Sequence, residues 1–186
     1  MLLALVPVLE KLIMVVQLRE SDRRLLFKEV AEPLFVQLQP AVDDLFSMFR
    51  GAKISLEQAQ ETQEDLAAAV AITRQNREKM LHLRRAVVQL ADGIEANVKD
   101  KRVVEFAAKV RYLFFSTRHR APGSKSLPGK LTESCDYVLD ERLDRGLIHD
   151  YLDTTLRQLE GSWVAIAQSY AALRIHCMTP SRYRME

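Results

Sequence analysis

Leu152, Leu156, Leu159, Trp163, Ile166, Tyr170, Leu173 and Cys177 recur in steps of four, three, four, three, four, three and four residues. An α-helix turns once in about 3.6 residues, so all eight side chains fall on one stripe. A seven-residue repeat held this long belongs to a helix that packs knobs-into-holes along its length. The segment from about Leu147 to Met178 is therefore expected to be one helix, ended by Pro180. Either the rest of the chain or a second copy can cover its seam. Trp163 and Tyr170 are bulky for a two-stranded interface, which favours a multi-helix core within one chain.

Helical spacing dominates the remaining sequence as well. No run alternates with a period of two, no internal repeat is visible, and six Gly and six Pro leave little material for tight β-turns. The expected fold class is all-α, an antiparallel helical bundle of about five to six helices in a single domain over residues 1–186. Leu2 to about Arg19 reads as the first helix. Ser21 or Asp22 would cap the second, with a kink or break at Pro33 and Pro40 and a stop at Gly51. Ser55 with Gln58 resembles a capping box opening a helix to about Val98, with Leu66, Val70, Met80, Leu83, Val87, Leu90, Ile94 and Val98 inward. Unbroken, that helix would be roughly 65 Å long and the bundle elongated. A compact bundle needs a break in the polar stretch around Arg74–Arg77 or at Gly93. Val103, Phe106, Val110, Leu113 and Phe114 mark a further inward stripe. A mobile basic loop is expected at about 116–131, followed by a short helix in "LTESCDYVLDERL".

The formal charge is only +2, but its distribution is uneven. Nine Lys/Arg stand against two Asp/Glu from Lys99 to Lys130, and three against eight from Leu131 to Glu160. The two segments are expected to neutralise each other within the fold, or to offer a basic patch to an anionic partner. Cys135 and Cys177, without CxxC spacing, read as free buried thiols of a reducing compartment, hence a cytoplasmic location. "MLLALVPVLEKLIMVVQL" is the most apolar stretch. Glu10 and Lys11 interrupt it, and it lacks a basic leader region and a small-residue cleavage site, so it reads as a core helix.

Few residues suggest chemistry. The four histidines do not cluster, no HExxH or ExxH pairing occurs, and no metal or cofactor is expected. Neither GxGxxG nor GxxxxGK[ST] is present, and no small-molecule substrate is evident. In "ERLDRGLIHDYLD", Arg142 and His149 enclose six residues. That spacing, with "HDYLD" after it, resembles the Arg-x(4–6)-His motif of HEPN-type helical RNases. The resemblance implies a metal-independent RNase, with His149 moving a proton at a ribose 2′-hydroxyl and Arg142 stabilising charge on the phosphate. It spans eight residues and departs from the commoner form at Leu143, which replaces a polar residue. A competing expectation pairs Arg142 with a nearby carboxylate and leaves His149 at an ordinary helix start.

Lys101, Arg102, Lys109, Arg111, Arg118 and Arg120, interleaved with Tyr112, Phe114 and Phe115, form the candidate anion-binding set, for nucleic acid or acidic lipid. Three readings follow. The leading one is a non-enzymatic helical-bundle interaction module (a scaffold, adaptor or regulatory domain) whose partner is another protein or a second copy bound through the helical seam. The second is the RNase. The third is a membrane-acting bundle of the lipid-binding or toxin type, peripheral to the membrane, using the apolar N-terminal helix and the basic 99–130 segment.

Overall fold

The computed structural model describes residues 23–59, 62–79, 81–115, 126–140 and 144–179. Over these residues the protein is an all-α bundle. Helix α1 (Arg23–Leu26) passes through a π-helical turn (Phe27–Ala31) into α2 (Glu32–Gln58). Then follow α3 (Gln63–Glu78), α4 (Leu81–Asn97), α5 (Lys101–Phe114), α6 (Leu127–Leu139) and α7 (Arg145–Met178). The helix expected at Leu2–Arg19 lies outside the described residues.

The two long rods, α2 and α7, lie antiparallel: Phe35 meets Trp163 and Tyr170, while Lys53 meets Asp153 at the other end. The heptad stripe of α7 faces inward as expected. Leu152, Leu159, Ile166 and Leu173 are each at most 2% exposed. Leu156, Trp163 and Tyr170 are half-buried and pack against the same core. Tyr170 is the hub of this contact. Its ring stacks on Phe35 at 4.0 Å and leans on Phe27 and Phe106, joining α7 to α2, the π-turn and α5. The inward stripes of α3, α4 and α5 are likewise buried at Leu66, Val70, Val87, Ile94, Val103, Phe106 and Val110.

Four local expectations are corrected. Proline does not break α2. Pro33 follows directly on the π-turn within one continuous helical run, and Pro40 lies inside the helix. Val36, whose carbonyl Pro40 leaves without a helical partner, is 60% exposed, so solvent can supply the donor. The expected irregularity does occur beside Pro33, as the π-turn that ends at Ala31, whereas none falls at Pro40. Gly51 does not end the helix, because Ala52 and Leu56 beyond it are still buried. Ser55 therefore sits in the last turn, accepting from the Ala59 amide through its carbonyl. The cap of the next helix is Thr62, whose hydroxyl accepts from the Asp65 amide and donates to the Asp65 carboxylate. Thr62→Ala is expected to cost about 1 kcal/mol, read as a lower urea midpoint. Finally, the loop expected to reach 131 ends at Ser126, whose hydroxyl accepts from the Gly129 amide, and residues 127–131 open α6.

The long middle segment does break near its polar stretch, at Lys79 after α3, whereas Gly93 lies within α4. Arg84, only 4% exposed, organises this corner. Its guanidinium donates to Asp44 of α2 at 2.6 Å and to the Arg77 carbonyl in the last turn of α3. One side chain thus closes a helix end and ties three helices together.

The ion pairs of the acidic segment that lie among the described residues run to α2 and α3. Asp136, Asp153 and Glu160 pair with Arg74, Lys53 and Arg50 of α2 and α3. Arg111 turns to Glu95 and Asp92 of α4, and Lys109 to Glu105 one turn back. Neighbouring helices in space, rather than neighbouring segments in sequence, decide the partners.

Candidate functional site

Of the candidate RNase pair, Arg142 lies outside the described residues. His149 is half-buried on the second turn of α7. One turn on, the Asp153 carboxylate is bonded to Lys53 at 2.6 Å, which holds its pKa below the usual carboxylate value.

The anion-binding candidates separate into three groups. Arg118 and Arg120 lie outside the described residues. Lys101 and Arg102 are exposed on the first turn of α5, where the Asp100 carboxylate already caps the Arg102 and Val103 amides. Lys109 and Arg111 face carboxylates. Arg111 in particular is bound in bidentate fashion by Glu95 at 2.7 and 3.1 Å, with its side chain 11% exposed. That fork-to-fork pair raises its pKa, and it fastens α5 to α4.

The nucleophilic candidates are enclosed. Cys135 is fully buried, and burial together with Asp136 pushes its thiol from 9.0 up to about 11. Burial also raises the neighbouring Tyr151. An unfolded thiol ionises first, so this contribution to stability is complete below about pH 9 and is lost as pH rises through about 11. Cys135→Val is expected to flatten the alkaline fall in stability, measured by urea titrations between about pH 8 and 11. Native Cys135 should also resist iodoacetamide at neutral pH. No group of His, Cys, Asp or Glu that could hold a metal ion occurs among the described residues, and no described helix is long and apolar enough to cross a membrane.

The remaining candidate is the outer face of α7. Between Glu160 and Arg174 stand 13 uncharged residues, Gly161 to Leu173. Their inward members fill the seam, but Gly161, Val164, Ala165, Gln168, Ala171 and Ala172 are exposed. Ile175 and Met178 extend the stripe toward the helix end. Val164 is 53% and Ile175 68% exposed. The solvent side of a surface helix is normally polar and charged, and here, Gln168 apart, it is small and apolar for about three and a half turns. Beside it, a groove of about 960 Å³ opens between α5 and α7, lined among others by Tyr112, Leu113, Leu159, Gly161 and Ala165. The heptad marks only the inward half of this helix. The signal for the outer half was the missing charge between Glu160 and Arg174.

No family model, curated protein or solved structure matches the chain.

Proposed function

We propose that the protein is a non-enzymatic interaction module that works through protein–protein contacts, with the outer face of α7 as its contact surface. The observation that carries this reading is the exposed, uncharged stripe through Val164, Ala171 and Ile175. Its exposure to water is unfavourable by roughly 25 cal/mol for each Å² of apolar surface, and a partner would relieve it. The stripe lies on a rigid rod whose opposite side is locked into the core, so it is presented without a cost in ordering a flexible segment.

The reading is tested by placing a photo-crosslinking amino acid at Val164 and, as a control, at exposed Gln89 on α4, in cells that express the full chain. A crosslinked polypeptide from position 164 alone is the expected result. Crosslinks of equal yield at both positions, or none at 164, would contradict it. So would RNA turnover by the purified protein that His149→Ala abolishes.

A further inference from the structure

We infer that the partner of this face is a second copy of the chain, bound antiparallel through α7 about a two-fold axis close to Gln168. The inference rests on the interaction-module reading and adds to it the identity and direction of the partner. Three features of the face fit this occupant.

The first is charge. The uncharged stretch is bracketed by Glu160 at one end and Arg174 at the other, both exposed. At 100° per residue the two project toward the same flank of the helix, the side nearer α2. An isologous antiparallel pair keeps each flank on its own side while reversing direction, so Glu160 of each copy meets Arg174 of the other. A symmetric parallel pair would put the charged flanks of the two copies on opposite sides of the contact, so Glu160 and Arg174 would not meet. Arg174 has no ion-pair partner among the described residues. Glu160 is held only by Arg50 at 3.7 Å, with both side chains about 60% exposed, and such a pair is readily exchanged.

The second is shape. With the axis at Gln168, Val164 lies opposite Ala172, and Ile175, more exposed than Val164, lies opposite Gly161. Gly161 is mid-helix, and a Cβ built there would meet nothing within 4 Å. Glycine lowers helix stability by about 1 kcal/mol relative to alanine, and nothing among the described residues requires it. A close-lying second helix with a bulky isoleucine does.

The third is extent. The stripe from Gly161 to Met178 is about 26 Å long on a rod about 10–12 Å across. That footprint, about 300 Å² per copy, is well below the roughly 1,200 Å² total of a standard specific interface, so a dimer through α7 alone is a weak, reversible one that dissociates on dilution.

Sedimentation velocity on the full chain over a range of concentrations tests this. A monomer–dimer equilibrium is expected. Val164→Arg should leave only monomer, with helicity unchanged and the melting temperature equal to that of the dilute wild-type protein. Glu160→Arg and Arg174→Glu should each weaken dimerisation several-fold, and the double exchange should restore it. Under oxidation Gln168→Cys should link to itself, whereas Ile175→Cys should not. Monomer at every concentration, a dimer indifferent to Val164→Arg, or self-linking at Ile175→Cys would overturn the inference. If the protein stays monomeric while the photo-crosslinker at Val164 still traps a different polypeptide, the self-association fails and the interaction-module reading stands. If neither occurs, both fail.

Discussion

Alanine at Asp44 is expected to lower the unfolding free energy by about 3–5 kcal/mol, although the residue removed is polar and lies off the core stripe. The size comes from Arg84, which remains behind. Its side chain is 5% exposed, and with Asp44 gone its guanidinium keeps the Arg77 carbonyl and the Met48 sulfur as hydrogen-bond partners among the described residues, with Glu78 acting on it from farther off. Burial already presses both partners toward their neutral forms, lowering the Arg84 pKa and raising that of Asp44 despite their mutual attraction. The pair is thus held against its own desolvation, and losing one member exposes that cost in full. Replacing both, Asp44→Leu with Arg84→Met, should recover most of the stability. The unpartnered Arg77 carbonyl at the end of α3 would then account for a residual loss of about 1–3 kcal/mol. Urea denaturation followed by far-UV circular dichroism measures all three variants. A loss below about 1 kcal/mol for Asp44→Ala would mean that water reaches the Arg84 guanidinium.

Acid should act on the two structural aspartates in opposite directions. The folded pKa of Asp44 is raised, so its contribution is complete below the unfolded value of 3.8 and is reduced as pH rises through the folded value. The folded pKa of Asp153 is lowered by Lys53, so its contribution is present above 3.8 and is lost as pH falls through the folded value.

The second large effect separates the two sides of α7. Ile166→Ala, at a position 1% exposed, should destabilise by about 2–5 kcal/mol through lost burial and the cavity it leaves. Val164→Ala, two residues away and 53% exposed, should change the stability of the monomer by less than about 0.5 kcal/mol. If the two cost the same, the helix is rotated from the orientation described, or both of its sides are covered.

The sequence was legible where a single force acts. Burial alone sets the heptad of α7 and the inward stripes of α3, α4 and α5, and periodicity found them. It was misread where forces compete locally. Pro40 and Gly51 weaken a helix, but in α2 they sit on a rod whose other side buries Leu38, Leu45, Ala52 and Leu56, and packing outweighs propensity. Ser55 and Thr62 are both capping residues. What distinguishes them is whether the preceding turn still has a core to face, which no local pattern records. Arg84 reads as a surface residue because nothing near it in sequence announces Asp44, 40 positions earlier. The ion pairs of Asp136 and Asp153 were hidden for the same reason. The outer stripe of α7 was present as an absence of charge, a weaker signal than the run of leucines beside it.

Thiol accessibility along α7 tests the central claim, that this helix buries one side of its heptad and presents the other. Single cysteines would be placed in turn at positions 159, 164, 166, 168, 171 and 173, in a chain with Cys135 and Cys177 replaced, and labelled at high dilution. Slow labelling at 159, 166 and 173 with fast labelling at 164, 168 and 171 is predicted. Uniform rates, or protection at 164 and 171 with reactivity at 159 and 166, would contradict the account.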